Sequence, residues 1–202
     1  MEPLVVSNLV LWAVVILLAG VVLALLRQVG VLHERIAPAG ALVGGEKPAV
    51  GEETPVLETT AWHGETLRIG GPDPEGAETL LFFVSPTCPV CKTLLPTVRS
   101  VRDAEGPKLR LVVASDGERE EHEPFVEAHD LESETYVLSA PLGMAYQVGR
   151  LPYAVLIGAD GVVKARGLVN QREHLESLFE ARDRGVASLQ EYVSSNPGRE
   201  VA

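Results

Sequence analysis

The chain opens with a long apolar run, and the rest has apolar positions spaced as in strands and helices. Residues 4–26 contain no charged side chain, and as a helix at ~1.5 Å per residue they would extend about 35 Å. A bilayer core is ~30 Å thick, so the run is long enough to cross it. The pattern therefore predicts one N-terminal transmembrane helix over residues 4–26.

The alternative for this run is a cleaved signal peptide, with Ala37-Pro38-Ala39 as a weak cleavage site. An uncleaved anchor is favoured, because no basic stretch precedes the run and it exceeds the ~7–15 apolar residues of a signal core. Arg27 and Arg35 follow the run, and the positive-inside rule would place the remaining chain in the cytoplasm. Two charges are a small bias, so the sequence leaves the orientation open.

Beyond the apolar run, the composition changes twice. From about residue 30 the chain is rich in Gly, Ala, Pro and Glu without periodicity, which is typical of a linker. A segment with regular apolar spacing follows. The predicted organisation is an anchor over 4–26, a tether over 27–52, a folded domain over 53–184 and a tail over 185–202.

Short apolar or alternating segments predict the strands of this domain. Continuous apolar segments favour strands buried on both faces, and Gly-containing turns between short segments favour hairpins. The predicted strands are 56–60, 66–69, 79–84, 109–114, 136–138, 151–157 and 162–165.

Helical spacing follows four of these strands. Ser115 with Glu118, and Asn170 with Glu173, have the spacing of helix N-caps, and Pro96 is expected to kink the first helix. The predicted helices run from Cys88 past Val101, from Ser115 to about His129, from Pro141 to Val148, and from Asn170 past Phe179. The order of elements predicts an α/β fold with a mixed central sheet and helices on both faces.

Composition and charge exclude some functions. The 202 residues carry a formal net charge of -11, which argues against nucleic acid as a partner, because phosphate binding needs a basic face. The only cysteines are Cys88 and Cys91. A domain held together by several disulfides is therefore excluded.

The segment Cys88-Pro89-Val90-Cys91 lies between a predicted buried strand and a predicted helix. At a helix N-terminus, unpaired N–H groups and the helix dipole favour a thiolate over a thiol and lower its pKa. Cys88 is accordingly the predicted nucleophile, and Cys91, one turn later, the predicted resolving thiol. Pro89 and Val90 are expected to help set the reduction potential.

Three other interpretations of the cysteine pair remain open. They are half of a zinc site, two buried structural cysteines, and a single reactive cysteine of the peroxidase type. No second such pair exists, and the five histidines are scattered without an i, i+4 pair, so a zinc site lacks ligands. The sequence predicts no metal and no other cofactor.

Leu151-Pro152 opens a predicted strand and has two interpretations. Proline lacks the N–H needed for strand pairing, so it can simply mark a strand start. Alternatively, it forms a cis peptide packed against the cysteine pair, and Leu151 then offers backbone groups to a substrate strand. The second interpretation makes Leu151 and Pro152 a candidate substrate groove.

Together these residues resemble the thioredoxin-fold proteins. The resemblance is carried by Cys88-Pro89-Val90-Cys91, by Pro96, and by Leu151-Pro152 ahead of Asp160-Gly161. One position departs from the pattern: many thioredoxins have a buried carboxylate six residues before the first cysteine, where this chain has Phe82. Leu81 and Ser85 do not fit the peroxiredoxin pattern.

The whole chain more closely resembles the MauD family of methylamine-utilisation accessory proteins. The match rests on the apolar N-terminus and on residues 83–92 and 149–153. It implies a single-pass protein of the bacterial inner membrane with a periplasmic thioredoxin-like domain. It also implies that the protein forms or rearranges disulfides in the small subunit of methylamine dehydrogenase, with a membrane redox partner.

Three functional hypotheses follow. The first is an oxidase or isomerase of protein thiols, the second a periplasmic disulfide reductase of the cytochrome c maturation type. The third is a non-catalytic assembly chaperone using the same groove. The residues alone do not give the redox direction.

Overall fold

The computed structural model describes residues 3, 7–9, 11–22 and 47–185. The chain divides into two compact units, residues 1–44 and 45–202. In the first unit, 7–9 and 11–22 are helical with exposed apolar side chains. Within the described part of the chain, no helix combines the length and apolar character needed to cross a membrane. Parts of the predicted anchor, most of the tether and nearly all of the tail lie outside the described residues.

The second unit contains, within residues 47–185, a strand or helix near every segment predicted to form one. The strands are β1 (Leu57–Thr60), β2 (Thr66–Ile69), β3 (Glu78–Phe83), β4 (Leu109–Ser115), β5 (Thr135–Leu138), β6 (Tyr153–Ile157) and β7 (Val163–Leu168). The helices are α1 (Pro89–Glu105), α2 (Arg119–Ala128), α3 (Ala140–Ala145) and α4 (Arg172–Arg184), with a 3-10 helix at Leu131–Ser133.

Five strands form a mixed sheet in the order β5-β4-β3-β6-β7, while β1 and β2 form a separate antiparallel hairpin. The central strand β3 runs parallel to β4, with Leu81 opposite Val112, and antiparallel to β6, with Leu81 opposite Val155. β5 is parallel to β4, and β7 is antiparallel to β6. The predicted mixed sheet is thus confirmed.

Buried apolar side chains form a cluster on each face of this sheet. Along β3, Leu80 and Phe82 belong to one cluster, and Leu81 and Phe83 to the other, because successive strand residues point to opposite faces. The first cluster includes apolar residues of α1, α2 and α4, and the second includes Leu142 of α3. Helices therefore cover both faces, as predicted.

The predicted cap of the second helix is wrong. Ser115 is the last residue of β4, and its hydroxyl donates to the carbonyl of Val84 at 2.8 Å. Helix α2 begins at Arg119, and its N-cap residue Glu118 makes no side-chain capping bond. The spacing of Ser115 and Glu118 fits a cap, but the adjacent strand offers the serine a buried acceptor.

The predicted cap of the last helix is also wrong. The N-cap residue of α4 is Gln171, without a side-chain capping bond. Asn170 lies one residue earlier, and its backbone N–H donates to Nδ1 of His174 at 3.2 Å. The side chain of His174 therefore accepts the backbone N–H that the pattern assigned to Glu173.

Candidate active site

The two cysteines follow the C-terminal end of β3, in a short loop that leads directly into α1. The loop leaves the sheet at Val84, whose N–H donates to the carbonyl of Ala114 at 2.9 Å. It closes where the N–H of Cys88 donates to the carbonyl of Ser85 at 3.1 Å. The hydroxyls of Ser85 and Thr87 lie 2.9 Å apart. The backbone that carries Cys88 is thus fixed on both sides.

Cys88 is the N-cap residue of α1. Its backbone is extended, with φ −89° and ψ 108°, and its Sγ accepts a hydrogen bond from the N–H of Cys91 at 3.1 Å. Pro89 occupies the first turn, which contains no acidic residue. A negative charge on Cys88 Sγ would therefore meet an N–H donor and the positive end of the helix dipole, with no carboxylate in that turn opposing it.

The two sulfurs differ in accessibility. Cys88 and Cys91 form a disulfide, with their Cα atoms 5.3 Å apart. Cys91 is fully buried among the apolar residues beneath α1, whereas Cys88 is partly exposed. Pro89 and Val90, between them, are both exposed. An incoming thiol can therefore reach the sulfur of Cys88 and not that of Cys91.

Leu151 and Pro152 lie at the same end of the sheet as the cysteine loop. β6 runs antiparallel to β3 and pairs Tyr153 with Phe83, so the residues just before Tyr153 emerge where β3 ends. The Leu151–Pro152 peptide is cis. Pro152 is buried and its carbonyl accepts from the N–H of Val169 at 3.0 Å, while Leu151 is 36% exposed.

Sequence reasoning missed a buried polar network behind the loop. His122 is only 1% exposed; its Nδ1 lies 2.6 Å from the hydroxyl of Tyr136, and its Nε2 lies 2.8 Å from the carbonyl of Asp116. A carbonyl only accepts, so Nε2 of His122 carries a proton and donates to Asp116. Burial raises the pKa of the Tyr136 hydroxyl, which stays protonated. No local motif marks these residues.

At position 82, where many thioredoxins have a buried carboxylate, this chain has a buried phenylalanine. Phe82 is fully buried in the same cluster as Cys91. Among the residues that the structure describes, Thr54, Ser115 and His122 are polar and buried as whole residues; the carboxylate of Glu134, whose side chain is 8% exposed, is bound by Arg99 and Arg102. Over the same residues, no group of three or more His, Cys, Asp or Glu could hold a metal ion.

Comparison with curated proteins gives close relatives over nearly the full length. The chain is 46% identical to the methylamine utilization protein MauD of Paracoccus denitrificans over 192 residues, covering 95% of each. It is 47% identical to MauD of Methylorubrum extorquens over 195 residues, covering 96% of this chain and 94% of the relative. No protein-family model matches the chain.

Solved structures with a similar fold cover about two thirds of the chain. StoA from Bacillus subtilis matches with a TM-score of 0.52 and 25% identity, covering 65% of this chain and 99% of StoA. The thioredoxin domain of a thiol-disulfide oxidoreductase from Bacteroides vulgatus matches with a TM-score of 0.53 and 16% identity, covering 64% of this chain and 96% of that domain. These likenesses confirm the predicted thioredoxin-like fold.

Proposed function

The chain belongs to the MauD family of methylamine utilization proteins, and from this premise we propose that it is a thiol–disulfide oxidoreductase acting on a partner protein. The observation that carries the proposal is the cysteine pair at the start of α1. Cys88 Sγ is partly exposed and accepts an N–H bond, while Cys91 is fully buried one turn away. This arrangement suits a nucleophile and a resolving thiol.

Oxidation of a substrate dithiol takes two exchanges. One substrate thiolate attacks Sγ of Cys88, the Cys88–Cys91 bond breaks, and Cys91 leaves as a thiolate. The second substrate thiolate attacks the substrate sulfur of the mixed disulfide and releases Cys88 as a thiolate. The substrate gains one disulfide, and the protein retains two electrons for an oxidising membrane partner to remove.

Isomerisation uses the reduced protein instead. The Cys88 thiolate attacks a wrongly paired substrate disulfide, which forms a mixed disulfide and frees one substrate thiolate. That thiolate attacks a second substrate disulfide, and the thiolate released there attacks the substrate sulfur of the mixed disulfide and releases Cys88 as a thiolate. Net reduction by contrast needs Cys91 to lose its proton and attack the mixed disulfide. Isomerisation needs no step at Cys91, so it does not depend on a base beside that buried thiol.

We propose the small subunit of methylamine dehydrogenase as the substrate whose disulfides are formed or rearranged. This is supported by the relatives, which are methylamine utilization proteins over about the same length. We further propose that residues 4–26 anchor the chain in the bacterial inner membrane, with the catalytic domain in the periplasm. An uncharged run of that length supports anchoring, and disulfide formation requires an oxidising compartment.

The substrate is identified by trapping. A Cys91→Ala variant cannot resolve a mixed disulfide internally, so it should accumulate an adduct between Cys88 and the substrate during methylamine dehydrogenase assembly. Non-reducing electrophoresis and mass spectrometry would identify the adduct. The matched control is the Cys88→Ala, Cys91→Ala double variant, which should trap nothing.

Two outcomes would contradict the proposal. Normal small-subunit disulfides in cells carrying only Cys88→Ser would remove any role for the exchange chemistry. Full function of a Cys88→Ser, Cys91→Ser variant would select the chaperone hypothesis instead. A reduction potential near that of thioredoxin, which is about −270 mV, would favour the reductase hypothesis.

A further inference from the structure

A series of polar groups connects helix α2 with the start of the cysteine loop. Nδ1 of His122 lies 2.6 Å from the hydroxyl of Tyr136. Burial raises the pKa of that hydroxyl, and the adjoining Ser115 hydroxyl opposes part of the increase. The Ser115 hydroxyl in turn donates to the carbonyl of Val84 at 2.8 Å. We call these four residues the His122 network.

The network ends at the backbone that positions Cys88. Val84 is the residue at which the chain leaves the sheet, and the next carbonyl, that of Ser85, accepts the N–H of Cys88 at 3.1 Å. Val84 is also buried in the apolar cluster that contains Cys91. Charges are screened less in such surroundings than in water. A change of charge at His122 should therefore affect the cysteine loop.

His122 can bind a second proton without the loss of a hydrogen bond. Its Nε2 donates to the carbonyl of Asp116 in both charge states. In the neutral ring, Nδ1 accepts from the Tyr136 hydroxyl. In the charged ring, Nδ1 donates to Tyr136, whose hydroxyl hydrogen then turns towards Ser115. All donors of the charged network point from His122 towards Val84, and hydrogen bonds aligned in this way polarise one another.

Two carboxylates near His122 favour the charged ring. The Asp116 carboxylate adds to the effect of burial in raising the pKa of Tyr136, so its charge acts on this network. The Glu121 carboxylate and Nε2 of His122 both lie within 4 Å of the point that a Cβ would occupy at Gly117. An opposite charge close to an imidazole stabilises its protonated form.

Two positive features oppose that charge. Helix α2 begins at Arg119, so His122 lies in its first turn, at the positive end of the helix dipole. The guanidinium of Arg119 stacks on Trp62, 3.8 Å from the ring centroid, and donates to the Trp62 carbonyl at 2.9 Å. Glu118 and Glu120, at the same helix start, are exposed. The surroundings of His122 thus contain groups that favour each charge state.

We propose that His122 is a positioning residue for the exchange reaction and keeps Cys88 reactive as the pH falls. When His122 binds a proton, its charge and the aligned hydrogen bonds of the network favour the thiolate of Cys88 over the thiol. Part of the thiolate that acidification removes is thereby restored. This role rests on the proposed oxidoreductase function, and it gives the buried pair of His122 and Tyr136 a part in that function.

The test is the rate at which iodoacetamide alkylates Cys88 in the reduced full-length protein. The variant is His122→Gln, whose side-chain amide can donate to the Asp116 carbonyl but binds no proton. At pH ~5.5 the wild type should react about 3- to 10-fold faster than the variant, as expected for one charge screened by protein. At pH ~8 the two rates should be about equal, because histidine is ordinarily neutral there.

His63→Gln is the matched control. Nε2 of His63 lies 2.8 Å from the carbonyl of Glu132 at an exposed site, so the same substitution meets the same kind of acceptor. This variant should react as fast as the wild type at both pH values. If His122→Gln does not fold, Tyr136→Phe tests the same network. A charged His122 would then have a buried N–H without an acceptor, so this variant should also react more slowly than the wild type at pH ~5.5.

A ratio of wild-type to His122→Gln rates that is the same at pH ~5.5 and pH ~8 would overturn the proposal, because it would show a purely structural role. An equal loss of rate in His63→Gln would overturn it as well. Failure of the underlying function is distinguishable. The protein would then be inert toward glutathione disulfide, while alkylation of Cys88, which needs no substrate or redox partner, would still report the effect of His122.

Discussion

At the residue scale, the chemistry depends on the sulfur of Cys88 standing where a serine or aspartate oxygen often stands at a helix start. Its Sγ accepts the N–H of Cys91 at 3.1 Å, a bond that strengthens when the acceptor is charged. The first turn of α1 contains no acidic residue. The helix start therefore favours the thiolate without local electrostatic opposition.

A charge placed in that turn tests this electrostatic account. Val90 is 39% exposed and lies between the cysteines. Val90→Glu should raise the titration midpoint of Cys88 in the reduced protein by about half a unit, because a carboxylate opposes the thiolate. Val90→Gln, which lacks the charge, is the control and should shift it much less. Alkylation rates measured against pH report both values; identical shifts would rule out an electrostatic origin.

The sequence predicted some residues of the candidate site and missed others. Cys88, Cys91 and the proline of the cis peptide could be predicted because strand, motif and helix follow each other within a few residues. The bonds of Ser115 and His122 could not be predicted, because their partners Val84 and Tyr136 lie 31 and 14 residues away along the chain. The catalytic and groove roles of the predicted residues remain predictions.

At the element scale, α1 must be held firmly because it carries the cysteine pair. Glu134, 8% exposed, accepts from Nε of Arg99 at 3.1 Å and from a terminal nitrogen of Arg102 at 2.7 Å. Arg99 also donates to the carbonyls of His129 and Asp130. These bonds tie the middle of α1 to the segment between α2 and β5.

Removing the charge of Glu134 should loosen this attachment. We expect Glu134→Gln to lower the free energy of unfolding by about 1–2 kcal/mol, because two partly buried guanidinium groups lose their counter-charge. Glu176→Gln is the control: Glu176 pairs with Arg172 at an exposed i, i+4 site, and the loss should stay below about 0.5 kcal/mol. Urea unfolding measures both. Equal losses would mean that Glu134 does not anchor α1.

Tyr146, just after α3, should make stability depend on alkaline pH. Its hydroxyl is buried, and burial raises its pKa to about 12 against the smaller opposing effects of the Thr54 hydroxyl and the Arg166 guanidinium. The unfolded chain ionises this group near pH 10, so its stabilising effect is complete below pH ~10 and is lost as pH rises to about 12. The loss should be on the order of 2 kcal/mol.

The comparison with Tyr146→Phe separates the effect of Tyr146 ionisation on stability from that of other ionisable side chains. The variant should have a flatter stability profile between pH ~10 and ~12 in urea unfolding experiments. Below pH ~9 the stability difference between the two proteins should not vary with pH, because the Tyr146 hydroxyl is protonated in the folded and unfolded states. If the stability of the two proteins changed with pH in parallel, Tyr146 would have the same pKa in the folded and unfolded states.

Elements were predictable where local pattern and burial agree. The strands β3, β4 and β6 are continuous apolar runs, and the sheet buries them on both faces. Helix starts were less predictable, because at Ser115 and Asn170 the local spacing fits a cap but other bonds form instead. The Ser115 hydroxyl donates to Val84, 31 residues away, and such a bond leaves no mark on local sequence. The Asn170 N–H donates to His174, only four residues away, and the capping pattern does not include that histidine.

At the scale of the whole molecule, the proposed topology brings the domain to the compartment where its substrate folds. The sequence predicts an anchor followed by a tether, and the folded domain begins near Lys47, whose N–H is bonded to Gln147. In this proposal, the tether keeps the cysteine pair near the proposed membrane partner that accepts its electrons. The proposal therefore makes localisation and electron transfer depend on the same N-terminal segment.

Protease accessibility tests this topology. In spheroplasts, added protease should degrade the domain of the full-length chain while cytoplasmic markers survive, because the domain is proposed to be periplasmic. The full-length protein should also remain in the membrane fraction after a high-salt wash. Protection of the domain until the inner membrane is lysed would place it in the cytoplasm and contradict the proposed localisation.

The most direct test of the oxidoreductase account is the ionisation of Cys88 in the reduced, full-length protein. Iodoacetamide labelling of Cys88, followed by mass spectrometry across pH 4–10, gives the midpoint. Stabilisation by the helix start predicts a midpoint at least ~1 unit below the ~8.5 of free cysteine. A midpoint at or above ~8.5, in a protein that does not exchange with glutathione, would contradict the account.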